Sequence, residues 1–244
     1  MTVTNSRETN ERTAAERETA GDQLSAISDA IERIASAVAE SVVAIKIERP
    51  GPTHAPGFDT RSRVGSVGSG VIASSNGLIV TAAHVVERAD RILVTTPAGD
   101  ELEAAVIGRN ESTDLAILRV DASDLIPIAP STTPKRPGQL VLAVGRPPMA
   151  GYVVTNGIVS AVDRSTKTFS GTTVNGLIQT TAAVEPGVSG GAIVDSRGAL
   201  LGIITSATDA TRSISFAVPI GQVLETVNSL VPAAAGIDTL FPHD

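Results

Sequence analysis

The sequence predicts an all-β protein of twelve short strands in two groups of six, with one helix ahead of them and one behind. Three observations point there. From Ser41 onward the chain is a succession of β-type runs, each six to ten residues long and bounded by Gly, Asn, Ser or Pro. No helical period interrupts them, which argues against a βαβ sheet and for barrels or sandwiches. A stretch with four prolines, IPIAPSTTPKRPG (126–138), divides the runs evenly and suits an extended connection.

Taken in order, residues 1–21 are polar and charged and have the composition of a disordered tail. Residues 22–40 carry Leu24, Ile27, Ile31, Ile34 and Val38 at spacings of three and four, which is one face of a helix packed on a barrel end. The first strand group, residues 41–128, holds SVVAIKIE (41–48), GSGVIAS (68–74), GLIVTAA (77–83), RILVTT (91–96), ELEAAVIGR (101–109) and LAILRVD (115–121). Residues 129–138 form the linker. The second group, residues 139–220, holds QLVLAVGR (139–146), TNGIVSAVDR (155–164), LIQTTAA (177–183), GAIVDS (191–196), LLGIITSA (200–207) and ISFAVPI (214–220). Asn76-Gly77 and Ser196-Arg197-Gly198 are turn signals between adjacent runs. Residues 221–244 are a terminal helix, IGQVLETVNSLV at its start, and a tail.

Composition excludes several functions. Only Lys46, Lys135 and Lys167 are lysines and the net charge is −7, so no basic patch exists to neutralise phosphates. Four Phe and one Tyr leave few stacking platforms, and nucleic acid is not an expected partner. The absence of cysteine removes disulfides, thiolate metal sites and a cysteine nucleophile. His54, His84 and His243 form no H-E-x-x-H pair, so neither a metal nor another cofactor is expected. GSVGSG (65–70) matches neither a dinucleotide fingerprint nor a P-loop and reads as a loop leading into a strand. No apolar run is long enough to span a bilayer. The first twenty residues lack the apolar middle of a secretory signal, so a cytoplasmic protein is expected; a leader removed ahead of Met1 would make it an exported one.

The sharpest chemical signal is GVSGG, residues 187–191. A serine among glycines allows close backbone approach and presents N–H groups toward a developing oxyanion. The pattern also fits the G-x-S-x-G elbow of α/β-hydrolases, which would make the protein an esterase. That elbow needs a strand–turn–helix and the order serine, acid, histidine. Here Gly190 and Gly191 lead into β-type runs, and the only histidine after Ser189 is His243, beside the last residue. The order histidine, aspartate, serine fits better. His84 follows the apolar run GLIVTAA, and Asp114 opens LAILRV. Alone, each is more readily a surface or turn residue; the three in one order favour a triad.

At this point the chain resembles the HtrA (DegP-like) serine proteases. TAAHVV, DLAILRV, TNGIVSAV, IQTTAAVEPGVSGGAIVD, LLGIIT and ISFAVPI are similar to that family's successive signature segments, over roughly residues 30–231. The resemblance implies two six-stranded antiparallel β-barrels of the chymotrypsin type with the active site between them. It implies Ser189 as nucleophile, His84 as general base and then acid, and Asp114 as the group that orients the imidazole. The amides of Gly187 and Ser189 would form the oxyanion hole. The implied reaction is hydrolysis of peptide bonds in unfolded or extended polypeptides. The alternative on the same fold is a latent or non-cleaving, chaperone-like binding protein.

Several positions depart from the pattern. Val188 stands where the family has asparagine, and where secreted trypsin-like enzymes have an aspartate that pairs with a new N-terminus. Ala183, six residues before the serine, replaces the acid that selects basic side chains. With Ile204, Thr205 and Ser206 it is expected to line a pocket for small aliphatic side chains, beside a strand edge that pairs with substrate. No PDZ segment follows the closing helix, so a stand-alone protease domain is expected. A homotrimer is implied by analogy alone, since no aromatic residue precedes Phe58.

Overall fold

The computed structural model describes residues 4–49, 63–168, 171–205, 214–231 and 241. Two closed antiparallel barrels of six strands each make up the body. The first comprises β1 (Val42–Arg49), β2 (Arg63–Ile72), β3 (Leu78–Ala82), β4 (Arg91–Thr95), β5 (Glu101–Asn110) and β6 (Leu115–Val120), joined in the order β1-β2-β3-β6-β5-β4. The second comprises β7 (Leu140–Gly145), β8 (Val153–Lys167), β9 (Thr173–Thr180), β10 (Ala192–Val194), β11 (Leu200–Thr205) and β12 (Ser215–Pro219), in the order β10-β11-β12-β9-β8-β7. Barrels, not sandwiches, are therefore the outcome of the expectation left open above. Closure removes the sheet edges that would otherwise template aggregation.

The continuous apolar runs have a simple cause: these strands are buried on both faces. In β3, Ile79 points into the first barrel while Leu78 and Val80 face outward into a second apolar layer. The same alternation puts Ala116 and Leu118 inside and Leu115 and Ile117 outside on β6. In the second barrel, Val141, Ala143, Ile193, Leu201 and Ile204 fill the interior. Leu142, Val144, Ala192, Val194, Leu200 and Ile203 instead join the outer layer of the first barrel. That shared layer welds the barrels. Each fully buried Ile, Leu or Val contributes about 1.5–3 kcal/mol relative to exposure.

The linker is held as an extended strand-like segment: Leu200 N–H donates to Ala129 O at 2.8 Å and Ser131 N–H to Leu200 O at 2.9 Å. Helix α2 (Ile220–Leu230) begins directly after Pro219 and buries Ile220, Val223, Thr226 and Val227. Leu230 lies against Gly108 of the first barrel, so the helix spans back over it. Phe241, expected in a loose tail, is fully buried in the inter-barrel layer, and its N–H donates to Ala73 O at 2.9 Å.

The N-terminal helix differs from expectation. Helix α1 runs unbroken from Thr4 to Ala39, and so takes in residues 4–21 of the stretch read above as a disordered tail. The residues there include many Ala, Glu and Arg, which are strong helix formers even without an apolar period. Its apolar stripe is only partly used. Ala35 and Val38 are buried and Ile31 and Ile34 pack beside them, whereas Leu24 and Ile27 stay exposed.

Candidate active site

Pairing of β3 with β6 in the register Ala82↔Leu115 sets the residues just after one strand beside those just before the other. Those residues are His84 and Asp114. His84 lies in a single 3-10 turn, Ala83–Val86, whose Val85 and Val86 are anchored in the first barrel's core. Ala83 N–H donates to Asp114 O at 3.0 Å, closing the two ends together. Asp114 adopts φ 54, a left-handed conformation that aspartate tolerates better than most residues.

Asp114 is 3% exposed, and its carboxylate accepts three hydrogen bonds. Oδ1 takes the His84 backbone N–H at 3.0 Å. Oδ2 takes His84 Nδ1–H at 2.8 Å and also the hydroxyl of Thr205. A buried carboxylate needs such donors, since water no longer supplies them. With Nδ1 donating to Oδ2, the imidazole lone pair lies on Nε2.

Ser189 sits in a turn of the other barrel. Val188 N–H donates to Glu185 O at 3.1 Å, with Pro186 second and Gly187 (φ 92) third in the turn, the residue pattern of type II. Gly191 N–H returns to Val188 O at 2.9 Å, and the chain then enters β10. A strand follows the serine, not a helix, so the α/β-hydrolase elbow is ruled out. Gly190 N–H donates to Ile204 O at 2.8 Å and Ile204 N–H to Gly191 O at 2.9 Å, which docks the turn on β11. Ser189 O accepts Ser69 N–H at 2.8 Å, which docks it on β2 of the first barrel.

These contacts converge. Thr205, which holds Asp114, follows Ile204, which holds the serine turn. Thr81 Oγ donates to Ser69 O at 2.7 Å, joining the strand that leads to His84 to the residue that holds Ser189. The amides of Gly187 and Ser189 donate to no acceptor among the described residues, whereas those of Val188, Gly190 and Gly191 are all used. Two free, partly shielded N–H groups flanking a serine are what binding of an oxyanion requires.

The expected specificity pocket is divided by the structure. Ala183 is exposed, and its carbonyl accepts the Thr155 hydroxyl at 2.6 Å. Ile204 is fully buried inside the second barrel, and its backbone N–H and C=O are committed to Gly191 and Gly190, so Ile204 itself offers no free edge. Thr205 is not a pocket residue: it is 1% exposed and bonded to Asp114. Strand alternation explains this, because Ile204 points into the second barrel and its neighbour must face the first. Ser206 lies outside the described residues. Among the described residues no three His, Asp or Glu side chains gather as a metal site, and no helix is long and apolar enough to cross a membrane.

Two closed barrels, with a buried Asp–His pair on one and a glycine-framed serine on the other, are the architecture of the chymotrypsin-fold serine peptidases. Residues 68–203 match the family model of the trypsin-like peptidase domain. A probable periplasmic serine endoprotease, DegP-like, from Halomonas elongata is 37% identical over 187 residues, covering 75% of this chain and 38% of that protein. The serine endoprotease DegS of Salmonella typhimurium is 36% identical over 174 residues, covering 68% of this chain and 48% of that protein. The chain thus spans less than half the length of both relatives. Among solved structures, the HtrA-type protease AlgW with decapeptide superposes with a TM-score of 0.70 at 33% identity, covering 81% of this chain and 66% of that one. The serine endoprotease from Yersinia pestis gives 0.67 at 31% identity, covering 83% and 67%. The chain belongs to the trypsin-like peptidase family, as an HtrA-like protease domain.

Proposed function

We propose that this chain is a serine endopeptidase acting on unfolded or extended polypeptides through an acyl-enzyme. Ser189 Oγ attacks the scissile carbonyl while His84 Nε2 takes its proton. The tetrahedral oxyanion accepts the amides of Gly187 and Ser189. The imidazolium, stabilised by Asp114, then gives its proton to the leaving amine, and the C–N bond breaks. Water, activated by the same imidazole, hydrolyses the ester and returns Ser189. The observation that carries this reading is the pairing of free amides at Gly187 and Ser189 with a serine turn docked on Ser69 of the barrel that also holds the carboxylate-bound histidine.

The substrate pocket is part of the same proposal: with Ala183 and no carboxylate six residues before the serine, cleavage follows small aliphatic residues. A preference for Arg or Lys in peptide profiling overturns it. The expectation of a cytoplasmic protein stands beside one relative that is named periplasmic. Recovery in the periplasm on cell fractionation overturns the cytoplasmic reading.

Labelling with a fluorophosphonate tests the mechanism without any guess at substrate. The expected result is one adduct, mapped to Ser189 by mass spectrometry. A folded sample that takes no label overturns the endopeptidase and leaves a non-cleaving binding protein on the same fold.

A further inference from the structure

The turn that carries Ser189 is pinned by one side chain from the opposite barrel. Among the described residues, Ser69 Oγ is the only side-chain group hydrogen-bonded to residues 185–191, donating to Gly187 O at 2.7 Å. Ser69 is fully buried on β2. Its hydroxyl oxygen also accepts Arg146 N–H at 2.8 Å, so its own proton is directed to Gly187 O.

The bond acts on a particular peptide unit. Gly187 C=O and Val188 N–H belong to one plane, and the plane is held at both ends: by Ser69 Oγ at the oxygen and by Glu185 O at the nitrogen. Fixing it sets ψ of Gly187 and φ of Val188. Those torsions decide whether the free amides of Gly187 and Ser189 lie on the same side of the turn. Glycine at φ 92 has no Cβ to resist rotation of its peptide, so the conformation depends on these two bonds.

Ser69 is in turn positioned from outside the site. Arg146 extends its guanidinium away from it, with Nε donating to Val42 O at 2.7 Å and Nη2 to Ala39 O at 2.7 Å. The loop that supplies the Arg146 N–H is thereby tied to the end of α1 and the start of β1.

We propose that Ser69 is a positioning residue for the oxyanion turn: its buried hydroxyl holds the Gly187–Val188 peptide so that both oxyanion amides face the reacting carbonyl. This rests on the endopeptidase reading above. Ser69 touches no substrate, and its effect is on the transition state only. Ser69→Ala is therefore expected to lower kcat on a peptide substrate by ~10- to 10³-fold, the upper end being that of losing one oxyanion donor outright. KM stays within about twofold, since ground-state binding does not use the hole. Affinity for a peptide boronic acid, whose tetrahedral adduct occupies the hole, falls with kcat.

Because Ser69→Ala opens a small void at the barrel junction, the pair Ser69→Thr and Ser69→Val is measured alongside it. Both add the same bulk, and only the first keeps the hydroxyl. The expected result is that Ser69→Thr exceeds Ser69→Val at least tenfold in kcat at matched thermal stability. Equal kcat in that pair, or a Ser69→Ala variant with parental kcat and boronate affinity, overturns the proposal. Labelling of the parent at Ser189 separates the two readings: a labelled parent with an indifferent Ser69 sinks this inference alone, whereas an unlabelled parent sinks the endopeptidase and this inference with it.

Discussion

Ser189→Ala is expected to remove peptidase activity by ~10⁵- to 10⁶-fold in kcat, and Asp114→Asn by ~10⁴-fold, both with unchanged folding. The first change deletes the proposed nucleophile from a half-buried position and leaves the turn's backbone bonds in place. The second is more instructive. Asparagine keeps the shape of Asp114 and accepts its left-handed φ of 54. The side-chain oxygen stays with the His84 backbone N–H, which has no other tautomer to offer. The amide nitrogen then occupies the place of Oδ2 and faces Nδ1. An N–H donor there forces the imidazole proton onto Nε2, the atom that must accept from Ser189. The base is present and wrongly protonated. Peptide hydrolysis and the fluorophosphonate labelling rate measure both variants, and the double variant is expected to lose no more than Ser189→Ala alone. Parental activity in Ser189→Ala sinks the mechanism; less than a tenfold loss in Asp114→Asn sinks the tautomer role.

The fold was legible because burial on both faces writes itself into sequence as uninterrupted β-branched runs. LIVTA, LAILRV and LLGIIT are strands whose two faces meet two different cores, and each of the twelve expected runs overlaps an observed strand. The ends were less legible. The first turns of α1 carry no apolar period, so only residue propensity marks them as helical. β8 extends to Lys167 past the last apolar residue of its run, through backbone pairing with β9 that side-chain pattern does not record. His84, Asp114 and Ser189 could be proposed as a set from the sequence because each borders an apolar run and they stand in the order histidine, aspartate, serine. Thr205 and Ser69 were not. Strand alternation places Thr205 opposite Ile204, facing the first barrel, but its partner Asp114 lies 91 residues away. Ser69 is hidden in a glycine-rich segment, and its partner is 118 residues distant. Such pairings arise only when two barrels are docked.

Gly190→Ala is expected to cost about 2–5 kcal/mol of stability from backbone strain and overpacking together. Gly190 has φ 84, where an L side chain costs roughly 1–2 kcal/mol even in open space. The space here is not open. A Cβ would run into Ser69 O and Thr81 Oγ, and would lie 3.1 Å from Ala82 N. Ser69 and Thr81 are fully buried and hydrogen-bonded to each other, so neither can retreat without leaving a buried polar group unpaired. The methyl must therefore push the serine turn away from β2 and β3, the elements that hold Ser69 and lead to His84. Gly99→Ala supplies the control. Gly99 has φ 97 with nothing within 4 Å of its virtual Cβ, so it incurs the backbone strain alone. The difference in melting temperature between the two variants isolates the clash between barrels. Any folded fraction of Gly190→Ala is expected to label at Ser189 at least tenfold more slowly than Gly99→Ala. Equal stability and equal labelling of the two would mean that the turn does not depend on this close approach, and that the barrels can separate there without disturbing the serine.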